Sequence, residues 1–133
     1  AKQIPNLRMI IDHVANVKID GQAPDGKWRD GIQGAAQHKS VYCKVSGLVE
    51  GTGKTDGTAP SDVEFYRPTI DVGWRAFGAD RVIYGSNWPV SERFAPCAVV
   101  QQVVTDYFSA KGDEAIEKYF WKNALAAYKW VKR

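Results

Sequence analysis

The chain has 133 residues, 44% hydrophobic and 25% charged, with a formal net charge of +3. That balance is ordinary for a globular domain and excludes disorder as the starting point. Lysine and arginine are scattered except for Lys129, Lys132 and Arg133, so no nucleic-acid partner is expected, and no apolar run nears the roughly 20 residues that span a bilayer, so no membrane partner is expected either.

The apolar, β-branched run Leu7-Arg8-Met9-Ile10-Ile11-Asp12-His13 predicts a buried strand over 7–13. Residues 16–26 carry Asp-Gly turn signals and Pro24 and predict a long loop. Trp28, Ile32, Ala35 and Ala36 recur at spacings of three and four, which predicts a helix over 27–38 that Gly31 and Gly34 weaken. Ser40-Val41-Tyr42-Cys43-Lys44-Val45-Ser46 predicts a second strand closed by Gly47. Residues 48–60, rich in glycine and threonine, predict a loop. Ser61-Asp62 can cap a helix whose apolar side is Val63, Tyr66, Ile70, Trp74 and Phe77, with Pro68 predicting a kink or split and Gly78 ending it. A third strand is expected over 81–85. Helices follow over 95–110, 114–121 and 123–131, with a break at Gly112-Asp113.

Strands separated by helical segments imply parallel pairing with right-handed crossovers. Three such strands bury poorly alone, and a closed (β/α)8 barrel takes about 250 residues. The chain is then either a small open α/β sheet or the last three βα units of a barrel whose first five are absent or lie on another chain. It opens with Ala1 and its one methionine is Met9, so Ala1 is not an ordinary translation start. Cys43 and Cys97 lack metal-ligand spacing, and reduced thiols in a reducing compartment, the cytoplasm, are expected. The glycine-rich stretch Gly47-Leu48-Val49-Glu50-Gly51-Thr52-Gly53-Lys54-Thr55 misses the phosphate-loop spacing by one residue, and a proline-containing loop follows where a helix should begin.

In a parallel α/β fold, chemistry sits at the carboxyl ends of strands. The stretch Asp80-Arg81-Val82-Ile83-Tyr84-Gly85-Ser86-Asn87-Trp88-Pro89-Val90 has that form: a short apolar strand, a glycine, then polar and aromatic side chains and a proline. With Phe77-Gly78-Ala79 before it, the stretch resembles the "F-G-x-D-R-x-x-F-G-S-D-W-P-V" segment of amidohydrolase-related TIM-barrel hydrolases. Ile4-Pro5-Asn6-Leu7-Arg8-Met9-Ile10-Ile11-Asp12-His13 resembles the family's "P-x-L-x-x-V-I-D-H" strand. Val41-Tyr42-Cys43-Lys44-Val45-Ser46-Gly47-Leu48 resembles "V-Y-x-K-L-S-G-L", and Asn123-Ala124 with Tyr128 resembles the closing "N-A-x-x-x-Y" helix. Four landmarks in the family's order are specific together.

The resemblance implies a partial (β/α)8 TIM barrel: one domain over 1–133, made of the last three parallel βα units plus C-terminal helices, with strands near 7–13, 40–46 and 81–85. It implies a hydrolase of the lactonase-like branch, acting on a lactone or similar bond in a small carboxylic or sugar acid and incomplete or inactive as this chain alone. The alternative is a non-catalytic α/β fragment that folds by association. Catalytic candidates are His13, which would polarise the substrate or activate water, and Asn87. The family carries aspartate where Asn87 stands, and an amide cannot act as a base at neutral pH. An inactive relative, a subfamily with another base and an engineered knockout all fit that substitution, and so does a plain turn-forming role for Asn87. Substrate-binding candidates are Lys44, which shares a strand face with Tyr42 and Ser46, together with Ser86 and Trp88. The family's His-x-His pair is not in the chain, so no complete metal site is expected; a zinc or manganese ion belongs to the full-length family member. His38 sits before a strand, at the pole opposite catalysis. Expected partners are a small-molecule substrate, and another copy of the chain or a complementary chain.

Overall fold

A computed structural model describes residues 7–129. Three parallel strands, β1 (Met9–Ile11), β2 (Val41–Val45) and β3 (Val82–Tyr84), form one sheet in the order β1-β2-β3. Ile10 pairs with Tyr42, and Lys44 with Ile83, so each crossover returns the chain to the neighbouring strand in parallel. Helix α1 (Gly26–Ala36) joins β1 to β2, and α2 (Val63–Phe77) joins β2 to β3. After β3 come α3 (Cys97–Ser109), α4 (Asp113–Glu117), a π-helical turn over Lys118–Lys122 and α5 (Asn123–Tyr128). The fold class is that of the last βα units of a TIM barrel, as expected.

Local chemistry sets these boundaries. Asp25 caps α1 by accepting from the Trp28 backbone N–H, and Asp62 caps α2 by accepting from that of Glu64. Gly78 ends α2 at φ 67. Helix α2 runs through Pro68 without the split that the proline allowed for. The proline forfeits one intrahelical bond, while burial of Tyr66, Ile70 and Phe77 on the same helix holds it together. The predicted strand over 7–13 is shorter. It stops at Ile11, and His13, Val14, Ala15 and Asn16 follow in a left-handed turn with φ of 52, 43, 58 and 52°. Left-handed backbone costs L-residues roughly 1–2 kcal/mol each. Tertiary contacts hold the turn: Val14 is fully buried, and Trp28 Nε1 donates to its carbonyl at 2.8 Å.

The helices cover one sheet face. Val41, Cys43, Val45 and Val82 pack there against Tyr66, Ile70 and Phe77 of α2 and Val103, Val104, Tyr107 and Phe108 of α3. Tyr119 is buried in the same core, stacks on Phe108 at 3.6 Å between ring centroids, and donates its hydroxyl to the Val45 carbonyl at 2.6 Å. The other face carries Tyr42 and Lys44, both half-buried. Among the described residues no strand pairs with the outer edge of β1 or β3.

At the amino ends of the strands, side chains satisfy backbone carbonyls. Arg81 Nη1 donates to Ala36 O, His38 O and Val41 O at 3.0, 3.0 and 3.2 Å. Asn123 Nδ2 donates to Ala79 O and Val82 O at 2.7 and 2.8 Å, and Arg8 Nη1 donates to Ala127 O at 2.6 Å. His38 lies at this pole, as its place in the sequence predicts. The expected helix over 123–131 is seen to Tyr128; residues 130–133, with part of the basic cluster, and residues 1–6 of the first motif lie outside the described residues. Among the described residues no helix is long and apolar enough to cross a membrane.

Candidate functional site

The carboxyl ends of the three strands are tied together by side chains. His13, two residues past β1, has Nδ1 2.9 Å from Ser46 Oγ, one residue past β2; the imidazole tautomer decides which atom donates. Gly47 follows at φ 62, and a Cβ there would lie 2.7 Å from His13 Cβ and 3.1 Å from Nδ1. Only glycine meets both demands, the left-handed backbone and the close approach of the ring. The chain then turns through Glu50–Thr52, held by Gly51 N–H on Gly47 O and Ile19 N–H on Gly51 O. Glu50 reaches the end of β3, where Asn87 Nδ2 donates to Glu50 Oε1 at 2.8 Å. The turn after β2 therefore touches the end of β1 through Ser46 and the end of β3 through Glu50.

Lys44 sits one step lower. Its Nζ pairs with Asp12 Oδ1 at 2.7 Å, and its stem lies across Gly85, where a Cβ would meet Lys44 Cδ at 2.9 Å and Ser46 Cβ at 3.2 Å. Lys44, Ser46 and Gly85 thus share the face that alternation assigned to Lys44 and Ser46. Burial works against the Lys44 charge, but the Asp12 carboxylate and the Tyr128 hydroxyl outweigh it and hold its pKa above the usual lysine value. On the opposite face Cys43 is sealed in the core, and burial, with a smaller push from Asp12, drives its thiol pKa up to about 12. Both cysteines are free, and Cys97 is exposed at the start of α3.

The structure brings His13 to Ser46 and Asn87 to Glu50. Ser86 Oγ accepts from the Trp88 backbone N–H at 3.2 Å, which stations Ser86 as a turn-former beside the site. Trp88 is 44% exposed at the rim. Asn87 adopts φ 56, a region that asparagine tolerates better than most residues. Sequence reasoning passed over Asp12 and Glu50. Asp12 lies inside the first strand motif, where nothing in the sequence assigns it a role. Glu50 lay in a loop read for its glycines, where a carboxylate three residues past the glycine that closes a strand was the available signal. The phosphate-loop resemblance fails in the structure as well: Lys54 is exposed, and the next helix begins at Val63.

These residues do not fit a self-contained metal site. Among the described residues no three of His, Cys, Asp and Glu gather. The strand-end residue Asn87 turns its amide nitrogen, which has no lone pair for a metal, toward the nearest carboxylate.

Three parallel βα units in this order define a portion of a TIM-barrel scaffold. The chain belongs to the amidohydrolase family: the family model Amidohydro_2, described as amidohydrolase, matches residues 1–130. It is similar to an L-fucono-1,5-lactonase of Burkholderia ambifaria, 35% identical over 91 residues, which are 68% of this chain and 29% of the relative. A protein of the same name from Burkholderia multivorans is 29% identical over 122 residues, 89% of this chain and 41% of the relative. An amidohydrolase crystal structure from Burkholderia multivorans with bound HEPES superposes with a TM-score of 0.87 at 23% identity, over 98% of this chain and 47% of that one. A zinc-bound crystal form of that amidohydrolase gives 0.84 at 24% identity, over 98% and 46%. At that identity the structural likeness speaks for the fold. The chain spans 29–41% of the length of these two curated relatives.

Proposed function

We propose that this chain forms the three carboxyl-terminal βα units of a barrel hydrolase that opens a lactone, or a similar ester-like bond, in a small sugar or carboxylic acid. The observation that carries this reading is the pair of contacts His13–Ser46 and Asn87–Glu50, laid by one short turn across the ends of three adjacent parallel strands. Opening a lactone requires a water brought to a carbonyl carbon, a group to take its proton and donors for the developing oxyanion. Imidazole, carboxylate, hydroxyl and amide are present together. The lactonase names of two relatives support the substrate class.

His13 serves to polarise the carbonyl or orient the water, with Ser46 fixing its ring. Lys44 is suited to a substrate carboxylate, and Trp88 offers a flat apolar face at the rim with Ser86 beside it. The remaining βα units come from further chain or from another subunit, because β1 and β3 each leave an outer edge free among the described residues. Any zinc or manganese ion would need donors from outside the described residues of this chain.

The test is hydrolysis of a panel of sugar 1,5- and 1,4-lactones, followed by proton release, with these units assembled into a closed barrel. Turnover that falls at least a hundredfold in His13→Asn supports the reading; no turnover of any lactone or small ester overturns it. The free edges also favour a second reading, association of two copies through the sheet without catalysis. Sedimentation of a dispersed, folded monomer at micromolar concentration overturns that one.

A further inference from the structure

Residue 87, at the end of β3, cannot exchange a proton at neutral pH because it is an amide. A carboxylate nevertheless stands against it. Glu50 Oε1 accepts from Asn87 Nδ2 at 2.8 Å, while Glu50 Oε2 is buried with no hydrogen-bond partner among the described residues. A buried polar atom left unpaired costs on the order of 1–3 kcal/mol, more for a charged group. Elsewhere Glu64 engages both oxygens with Arg67, whose Nε lies 2.8 and 2.7 Å from the two. None of the ion pairs among the described residues includes Glu50.

The backbone under Glu50 is clamped as well. Gly51 has no room for a side chain: a Cβ would lie 2.8 Å from Val17 O and Ile19 Cγ1. Thr52 Oγ1 closes the turn on Val49 O at 2.7 Å. A fixed, half-paired carboxylate at a strand's carboxyl end calls for an explanation, and chemistry supplies one.

We propose that Glu50 is the proton-transfer group of this site and that Asn87 is its positioning residue. The inference rests on the lactone-hydrolase reading above. In the first step, water oxygen bonds to the lactone carbonyl carbon, the carbonyl π pair moves to its oxygen, and the Glu50 carboxylate takes the water proton. In the second, the C=O re-forms, the bond to the ring oxygen breaks, and Glu50 returns the proton to that oxygen. The product is the open hydroxy acid, whose carboxyl proton leaves to solvent. Lactone and water balance the product, and nothing is oxidised or reduced.

The experiment compares the intact protein with Glu50→Gln and Glu50→Ala in lactone hydrolysis, with sodium formate added to the alanine variant. Glutamine keeps an oxygen for the Asn87 amide, so the fold is retained, and circular dichroism checks this. Expected is a 10²- to 10⁴-fold fall in kcat for Glu50→Gln with KM within a few-fold, and at least tenfold recovery of Glu50→Ala by formate. Activity in Glu50→Gln within threefold of the unsubstituted protein overturns the role of Glu50 and leaves the lactonase reading standing. A fall without formate rescue makes Glu50 structural and overturns the inference too. If the unsubstituted protein opens no lactone, the functional reading fails and this role fails with it.

Discussion

Gly47→Ala is the sharpest probe of how the site is built. The new methyl group meets two obstacles. At φ 62 an alanine must hold left-handed backbone, which costs about 1–2 kcal/mol. Its Cβ would also lie 2.7 Å from His13 Cβ and 3.0 Å from His13 Cγ. Those atoms belong to a ring held by Ser46 and to a turn already left-handed over four residues, so the neighbour cannot withdraw cheaply. Overpacking of this kind costs about 1–3 kcal/mol. The total, about 2–5 kcal/mol, is a large share of the 5–15 kcal/mol typical of a domain. At roughly 4 °C per kcal/mol for a chain of this size, the thermal midpoint should fall by about 8–20 °C. Gly53→Ala is the matched control, because Gly53 sits at φ 70 with nothing within 4 Å of a Cβ. It should lose only the backbone part, about 1–2 kcal/mol. Thermal and urea unfolding followed by circular dichroism give both values. Equal losses in the two variants would refute the claim that Gly47 exists to admit the His13 ring.

Asn123→Asp exchanges a double donor for a carboxylate facing two carbonyls at 2.7 and 2.8 Å; urea unfolding should show a loss of at least about 3 kcal/mol, more than for Asn123→Ala. Tyr119→Phe keeps the stack on Phe108 but strips the buried Val45 carbonyl of its hydroxyl donor, with an expected loss of about 1–3 kcal/mol in the same assay. In the native protein a thiol reagent should label Cys97 at once and Cys43 only on unfolding, read as one fast thiol per chain. The native Cys43 thiol keeps its proton up to about pH 12, while in the unfolded chain it ionises near the ordinary value of about 8.5. Between those values the unfolded state binds fewer protons, so this contribution to stability is intact below about pH 8.5 and is lost as pH rises toward 12. A pH series of unfolding free energies should be flatter on the alkaline side for Cys43→Ala.

The architecture was legible because its signals are local. Periodicity placed three strands and the main helices, and Asp62 and Gly78 marked boundaries that the structure keeps. The reading failed where distant residues decide. Nothing in His13-Val14-Ala15-Asn16 announces four left-handed residues; they are held by Trp28, twelve residues on from Asn16, and by burial of Val14. Pro68 points to a kink or split, and core burial of α2 keeps the helix from splitting. The Asp12–Lys44 pair and the Asn87–Glu50 bond join positions 32 and 37 apart in sequence, and no spacing rule predicts such partners. Lys44 was placed on the correct face by alternation alone, but its partner came from the neighbouring strand's end.

The contacts at the two ends of the sheet bear on what Asn87 means. At the amino ends, Arg8, Arg81 and Asn123 all donate to backbone carbonyls, which is how a fold satisfies its own chain. At the carboxyl ends the contacts run from side chain to side chain: His13 to Ser46, Lys44 to Asp12, Asn87 to Glu50. Side-chain pairs occur elsewhere in the fold too, Lys118 with Asp80 at the amino end of β3 included, but these three gather on the ends of adjacent strands. An inactive relative leaves the Glu50 carboxylate against the Asn87 amide, with Oε2 buried and unpaired, without a use. With Glu50 as the proton-transfer group proposed above, the acid–base task lies on the turn after β2 rather than on residue 87.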